Sequence, residues 1–259
     1  MHAAAAYRKT IHKCTRVIQS TFYDLHRKGQ KESLHEFRLA VKRLRALLPS
    51  LPSPPSLVLL STAFRAAGRI RNIDVQRSIL EETLDGRRMP DNLIRFLKRR
   101  RKKARRRLRT ITRMIPADTL EDLLSAIQRH TNQEPDTGLE ESIRKNVQGR
   151  ITDVNESASQ TMNAEQIHEL RAKVKEAAIL SVLLPSGSTP HVPFEKTADL
   201  LGKWHEWVVT LKKIHRFRKK HPGAQLKNLP DQVERMKESY FASAMVLMQN
   251  GTKERVESP

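Results

Sequence analysis

The sequence predicts an all-α protein built as two four-helix bundles from an internal duplication. Three observations lead to this fold class: the composition, the proline-rich breaks between segments of helical periodicity, and a repeat at a constant offset. Glycine is scarce, at 9 of 259 residues, while Leu, Arg, Lys, Ala and Glu dominate. These residues favour helix by intrinsic propensity, and the alternation of β-branched residues that would indicate strands is hard to find.

Breaks divide the chain into eight long predicted helices and one shorter helix. Four prolines between residues 49 and 55 separate the second helix from the third, and a segment with Pro185, Gly187, Pro190 and Pro193 follows the sixth long helix. The long helices are predicted over residues 4–28, 31–48, 56–84, 90–115, 138–161, 164–184, 194–220 and 231–250, with the shorter one near 118–130.

Two segments return later in the chain in the same order. HEFRLAVKRLRALLP, beginning at His35, returns as HELRAKVKEAAILSVLLP, beginning at His168, at an offset of 133 residues. AGRIRNIDV, with Gly68, returns as LGKWHEWVV, with Gly202, at an offset of 134 residues. The sequence therefore predicts one domain of two repeats, at about residues 1–133 and 134–259, related by a pseudo-two-fold axis.

The charge of the chain points to a polyanionic partner. Forty-nine Lys and Arg face 28 Asp and Glu, which leaves a formal net charge of +21. Residues 1–130 hold 30 basic and 11 acidic side chains, whereas residues 131–259 hold 19 and 17. Such an excess of one sign repels itself unless an anion neutralises it. Nucleic acid, an anionic membrane surface and inorganic polyphosphate all satisfy this requirement.

Cysteine use and hydropathy predict the compartment. The chain has one cysteine, Cys14, so no internal disulfide can form, and no apolar run is long enough to span a membrane. We expect a soluble cytoplasmic protein that does not insert into membranes. Cys14 is expected to be a packed thiol, and Trp204 and Trp207 are expected to lie in the core.

Cations occupy one face of the second predicted helix, beside its apolar face. At about 100° per residue they fall within an arc of about 80°; they are His35, Arg38, Lys42 and Arg45. The second repeat places His168, Arg171 and Lys175 in the same pattern. A solvated helix face is the alternative, but such faces usually mix signs to form i,i+4 pairs, and no acid lies between Arg38 and Arg45.

These motifs resemble the CHAD family, the conserved histidine α-helical domain. The similarity extends over nearly the whole chain and consists of two His-x-x-Arg-x-x-x-Lys helices and two helices that carry a glycine followed three residues later by Arg or His. The resemblance implies two four-helix bundles around a basic central cleft or pore that binds inorganic polyphosphate, and an association with polyphosphate granules. It also implies polyphosphate contacts at His35, Arg38, Lys42, Arg45, Arg71, His168, Arg171, Lys175 and His205.

A third basic feature lies between Arg95 and Arg109, where eleven of fifteen residues are Lys or Arg. Its helical phase places a further basic face at Arg99, Lys102 and Arg106, among others. This face either contributes to the anion site or forms an exterior patch for nucleic acid or a membrane surface. A nucleic-acid-binding helical protein is thus the alternative function, although few of the aromatic residues that base stacking would use lie among the cations.

Catalytic and metal-dependent functions find little support in the sequence. The His-Glu dipeptides at 35, 168 and 205 lack the second histidine four residues later that a zinc protease needs. No phosphate-binding P-loop and no set of nucleophile, base and oxyanion donors is found. We expect a binding protein rather than an enzyme, with no cofactor and no metal. Asp74 is expected to be the ion-pair partner of Arg71.

Overall fold

A computed structural model describes residues 3–27, 31–85, 88–158, 162, 164–183, 194–222, 226 and 228–253. Within these residues the protein is all-α, as predicted, whereas its construction as two duplicated four-helix bundles stays a prediction. The helices are α1 (Ala3–Arg27), α2 (Lys31–Leu47), α3 (Val58–Thr83), α4 (Asp91–Arg113), α5 (Ala117–Gln133), α6 (Asp136–Ala158), α7 (Ala164–Ser181), α8 (Phe194–Lys220) and α9 (Leu229–Lys253).

Prolines mark most of the helix boundaries. A short 3-10 helix, Leu48–Ser50, carries Pro49 at its start and separates α2 from the proline-rich segment before α3. Pro90 precedes α4, and Pro116 and Pro135 bracket α5, where a fixed φ suits the entry of a helix. The helix predicted near residues 118–130 is therefore longer than expected, since α5 has 17 residues. The predicted break with Pro185, Gly187, Pro190 and Pro193 lies outside the described residues.

The chain divides into two compact units. Unit 1 comprises Met1–Arg71, Lys102–Ile151 and Ile179–Thr189, and unit 2 comprises Asn72–Arg101, Thr152–Ala178 and Pro190–Pro259. The repeat boundary near residue 133, the pseudo-two-fold axis and the basic cleft stay predictions. No helix among the described residues is long and apolar enough to cross a membrane.

The core of unit 1 forms where α1 packs against α2 and α5. Fully buried side chains recur on α1 at helical spacing, from Tyr7 and Ile11 to Ile18 and Phe22. The ring of Phe22 lies 6.0 Å from that of Phe37 in α2. Cys14 is buried in the same layer, and burial raises the pKa of its thiol to about 11, as expected for a packed cysteine.

One arginine fixes the junction between α5 and α6. Arg8 of α1 donates from Nη2 to the carbonyl oxygen of Glu134 at 2.7 Å and from Nε to that of Thr131 at 3.3 Å. Its Nη1 donates to the Asp136 carboxylate at 2.6 Å. Arg8 therefore satisfies carbonyl groups that the end of α5 leaves without helical partners.

The core of unit 2 forms where α8 packs against α9. Trp204 and Trp207 of α8 are both buried, as expected from the sequence. The ring of Trp204 lies 6.0 Å from that of Phe241, and the ring of Trp207 stacks on Tyr240 at 6.3 Å. Both rings therefore contact α9. His205, also on α8, instead contacts His168 of α7.

Replacing Tyr7 by Phe tests the link between α1 and α2. The buried Tyr7 hydroxyl donates to the carbonyl oxygen of Leu47 at 3.0 Å. Its loss leaves a buried acceptor without a partner, so we expect Tyr7→Phe to lower the free energy of unfolding by about 1–3 kcal/mol in urea titrations. Tyr23→Phe, at a half-buried ring on the same helix, is the control. Equal losses in the two variants would contradict this role of the hydroxyl.

Candidate functional site

Two cations of α2 in unit 1 pack on one aromatic ring of α3. The guanidinium carbons of Arg38 and Arg45 lie 4.3 and 4.6 Å from the centroid of Phe64. Arg38 also donates from Nη1 to the carbonyl oxygen of Phe64 at 2.8 Å, and Arg45 donates from Nη2 to Oγ of Ser61 at 2.6 Å. Cation–π contacts and hydrogen bonds therefore hold both guanidinium groups in place.

Gly68 makes this arrangement possible. A Cβ atom at position 68 would lie 2.4 Å from Nη1 of Arg38, well inside van der Waals contact. The glycine of the AGRIRNIDV segment thus gives the guanidinium group room to lie directly on the backbone of α3. In unit 1, the close contact with Arg38 explains why a glycine lies at this position.

The cations of unit 1 crowd one another. Burial, together with the neighbouring charges of Arg71 and Arg45, lowers the pKa of Arg38 to about 10. Burial and the charge of Arg65 lower the pKa of Arg45. Arginine nevertheless stays protonated at neutral pH. These four guanidinium groups are therefore charged and mutually repulsive, so a bound anion would relieve the repulsion.

The two histidines of unit 2 touch each other. Nδ1 of His168 in α7 lies 3.2 Å from Nδ1 of His205 in α8, and the rings meet edge to face at 4.8 Å between centroids. The buried ring of Trp204 lies 5.1 Å from His168 and supports it from one side. In a hydrogen bond between two such nitrogens one must carry the proton and the other must accept it.

Burial and nearby cations keep these histidines neutral. Burial, together with the charges of Arg171, Lys175 and Lys212, lowers the pKa of His205 to about 3. Burial, then Arg171 and Lys212, lower the pKa of His168, against the opposing effect of Glu165. Both rings are therefore neutral at pH 7.

Arg171 and Lys175 of α7 complete the cluster in unit 2. A Cβ atom at position 202 would lie 3.1 Å from Nζ of Lys175, so the second repeated glycine also accommodates a cation. Burial lowers the pKa of Arg171, and Glu206 partly offsets this. Nε of Arg171 is buried and has no hydrogen-bond partner among the described residues. Arg171 therefore keeps one donor that no described group uses.

The structure thus places the predicted residues in two groups, which we call the unit 1 cluster and the unit 2 cluster. Arg38, Arg45 and Arg71 belong to the first, with Lys42 half-buried on the same face of α2 and His35 exposed near its start. The unit 2 cluster contains His168, Arg171, Lys175 and His205. Arg99, Lys102 and Arg106 are exposed on α4.

Some partners were missed by sequence reasoning. Asp74 accepts two hydrogen bonds from Arg101, at 2.6 and 3.3 Å, a partner that the sequence did not suggest. Phe64 was not recognised, although it lies four residues before Gly68 on the same face of α3. Lys212 was also missed, and its spacing of seven residues from His205 is the signal that could have identified it. Among the described residues, no group of three or more His, Cys, Asp or Glu side chains could hold a metal ion.

Comparisons with known proteins support the fold. The CHAD domain family model matches residues 9–215. Among solved structures, the crystal structure of the CHAD domain from the plant Ricinus communis is similar, with a TM-score of 0.65 and 18% sequence identity over 97% of this chain and 91% of that chain. No curated protein matches the sequence significantly. At this identity, the structural similarity shows a shared fold.

Alanine at the glycine positions tests the close approach of Arg38. Gly149 in α6 has no atom within 4 Å of an added Cβ. We expect Gly149→Ala to raise the free energy of unfolding by about 0.5–1 kcal/mol because alanine favours helix. The free energy of unfolding of Gly68→Ala should be lower than that of Gly149→Ala by at least about 1 kcal/mol, since the Arg38 guanidinium group must leave the Phe64 carbonyl oxygen. Urea titrations measure both, and equal gains would contradict the requirement for glycine.

The lowered pKa of His205 predicts a loss of stability in acid. Between its folded pKa of about 3 and its ordinary value of 6.5, the unfolded chain binds more protons than the folded protein. The contribution of neutral His205 to stability is therefore fully present above pH 6.5 and is lost as the pH falls toward 3.

Replacing His205 by Gln should remove this part of the pH dependence. Between pH 7 and pH 4, we expect the free energy of unfolding to fall by at least about 1 kcal/mol more in wild type than in His205→Gln, as measured by urea titrations. His215→Gln, at an exposed histidine of the same helix, should behave as wild type. If the stability of His205→Gln falls with pH as steeply as that of wild type, His205 is not held neutral in the folded protein.

Proposed function

The chain belongs to the CHAD domain family, and from that premise we propose that it binds inorganic polyphosphate, as a binding protein rather than an enzyme. The observation that carries this proposal is the crowding of cations in each unit. Arg38 and Arg45 converge on one ring of α3, and Arg171 and Lys175 converge on the His168–His205 pair. Such clusters are stabilised when a multivalent anion binds among them.

The side chains suit phosphate oxygens. Arginine offers a planar fork of N–H donors, and lysine offers a compact charge that adapts to any oxygen. The neutral histidine pair can donate from one ring nitrogen without adding charge. Each charge-assisted hydrogen bond contributes about 1.5–3 kcal/mol before opposing terms, and contacts along one chain add together. Affinity should therefore rise with polyphosphate length and fall with salt, by analogy with nucleic acids.

Polyphosphate binding should also draw protons into the unit 2 cluster. Phosphate oxygens near Arg171 and Lys175 would offset the cations that keep His168 and His205 neutral. The pKa of both histidines then rises in the complex, so binding is accompanied by proton uptake. Affinity consequently strengthens as the pH falls, in a window below the ordinary histidine value of 6.5.

Nucleic acid binding is the second candidate function. It is favoured by one observation, the exposed face of α4 at Arg99, Lys102 and Arg106. Lys and Arg on one exposed helix face attract any polyanion, including nucleic acid. A competition titration with long-chain polyphosphate, duplex DNA and RNA at equal charge concentration separates the two functions. We expect polyphosphate to displace both nucleic acids.

Charge reversal tests the polyphosphate site directly. Arg38→Glu, Lys42→Glu and Arg171→Glu together should reduce the affinity for long-chain polyphosphate at least about a hundredfold, since several charge-assisted contacts become repulsive. Fluorescence anisotropy with labelled polyphosphate measures the affinity, and circular dichroism confirms that the helices are retained.

A second triple variant controls for net charge. Arg16→Glu, Arg129→Glu and Arg235→Glu change the net charge by the same amount at exposed positions outside both clusters. This variant should bind with a loss of less than about tenfold, from long-range electrostatics alone. Equal losses in the two triple variants would show that binding follows net charge and not the assigned site.

Two further parts of the proposal have their own readouts. If the protein is a binding protein, long-chain polyphosphate incubated with it and a divalent metal keeps its length on a gel, whereas shortening would indicate an enzyme. In cells, we propose a cytoplasmic protein that associates with polyphosphate granules. Loss of granule association in the Arg38, Lys42 and Arg171 variant, but not in its control, would support this location.

A further inference from the structure

A line of cations extends along α8 beyond the unit 2 cluster. Lys212 and Arg216 follow His205 by seven and eleven residues. At about 100° per residue these three side chains lie within an arc of about 40° on α8. The rise of about 1.5 Å per residue makes the line about 16 Å long. One end of the line is therefore the histidine pair, and the other end is Arg216.

A second group of cations surrounds the far end of this line. The ring of Phe96 in α4 packs against Phe217 in α8, with 5.3 Å between centroids. The guanidinium carbon of Arg100 lies 5.4 Å from the centroid of Phe96. This contact between the two helices places Arg100 near Lys213 and Arg216, which lie four and one residues before Phe217 on α8. Unit 2 thus holds a cation group formed by two helices, separate from the pair of histidines.

A buried amide positions Arg100 in this group. Gln76 of α3 is only 2% exposed, and its Oε1 accepts a hydrogen bond from Nη1 of Arg100 at 3.0 Å. The adjacent Arg101 donates to the carboxylate of Asp74 at 2.6 Å. The two neighbouring arginines are thereby directed to different partners, since Arg101 has an acid and Arg100 has a neutral amide.

The charges in this group oppose one another. Burial and the charge of Arg216 lower the pKa of Arg100. Burial and the charges of Arg100 and Arg216 lower the pKa of Lys213. Burial and like charge both disfavour the cationic forms, as in the two clusters described above. An oxyanion among the three side chains would remove this penalty.

We infer that Arg100, Lys213 and Arg216 form a second phosphate-binding position in unit 2, linked to the His168–His205 pair through Lys212. The inference rests on the proposed function and extends it to chain length. A short polyphosphate can occupy one position at a time. A long chain lies along α8 and contacts both positions at once, so the second contact is made at high effective concentration. The group therefore favours long chains over short ones.

A pair of substitutions with a matched control tests the inference. Arg100→Gln with Arg216→Gln removes two charges from the group. Lys98→Gln with Arg218→Gln removes two charges from exposed positions of the same helices, each about 160° around its helix from Arg100 or Arg216. Affinities are measured for tripolyphosphate and for long-chain polyphosphate, each relative to wild type, and urea titrations confirm that both variants are folded.

The expected result is a change in length preference. Arg100→Gln with Arg216→Gln should weaken long-chain binding about tenfold more than the control pair does, and weaken tripolyphosphate binding less than about threefold. Equal losses of long-chain affinity in the two pairs, or equal losses for short and long chains in the test pair, would overturn the inference. Arg216→Gln alone, at an exposed side chain, repeats the comparison if the test pair fails to fold.

A variant of the unit 2 cluster separates the two proposals. Arg171→Gln with Lys175→Gln should weaken the binding of short and long chains alike, because both use that cluster. If wild type binds neither chain, the proposed function itself fails. If wild type binds, the Arg171 and Lys175 pair loses binding, and the Arg100 and Arg216 pair matches its control, the proposed function stands and the second position is refuted.

Discussion

Repulsion between like charges that are held close together is the constraint on which the rest of the structure depends. On α2 and α7 the apolar face lies directly beside the cationic face. Burying the first therefore brings the second against the neighbouring helix. The hydrophobic core supplies the free energy that keeps these cations near one another. This repulsion between cations is the basis of the proposed anion binding at each cluster.

Each of the two repeated glycines makes room for a cation, but the cation differs between the units. In unit 1 the guanidinium group of Arg38 occupies the space above Gly68, whereas in unit 2 the ammonium group of Lys175 occupies the space above Gly202. Arg38 corresponds to Arg171 in the sequence repeat, and Lys175 corresponds to Lys42. The approach to the glycine is closer in unit 1, where an added Cβ atom would lie 2.4 Å from Arg38, than in unit 2, where it would lie 3.1 Å from Lys175. The two clusters are related in sequence without being copies in detail.

The histidines show the same divergence. His35 is exposed near the start of α2, whereas His168 is paired with His205 and shielded by Trp204. These two rings are buried near lysine and arginine charges and are neutral in the protein. A single sequence motif therefore supplies an accessible side chain in one unit and a proton-sensitive pair in the other.

Helix existence, helix phase and the cationic faces were determined by the sequence alone. Periodicity and prolines are local signals, so the bounds of α2, α3, α7 and α8 agree with prediction within a few residues, although the extent of α5 was underestimated. Only the tertiary structure decided which helix each cation meets. Three contacts depend on side-chain packing between helices: Phe64 with Arg38 and Arg45, Asp74 with Arg101, and Arg100 beside Arg216. The pKa of His205 depends on burial and on charges far away in sequence, which no local pattern encodes.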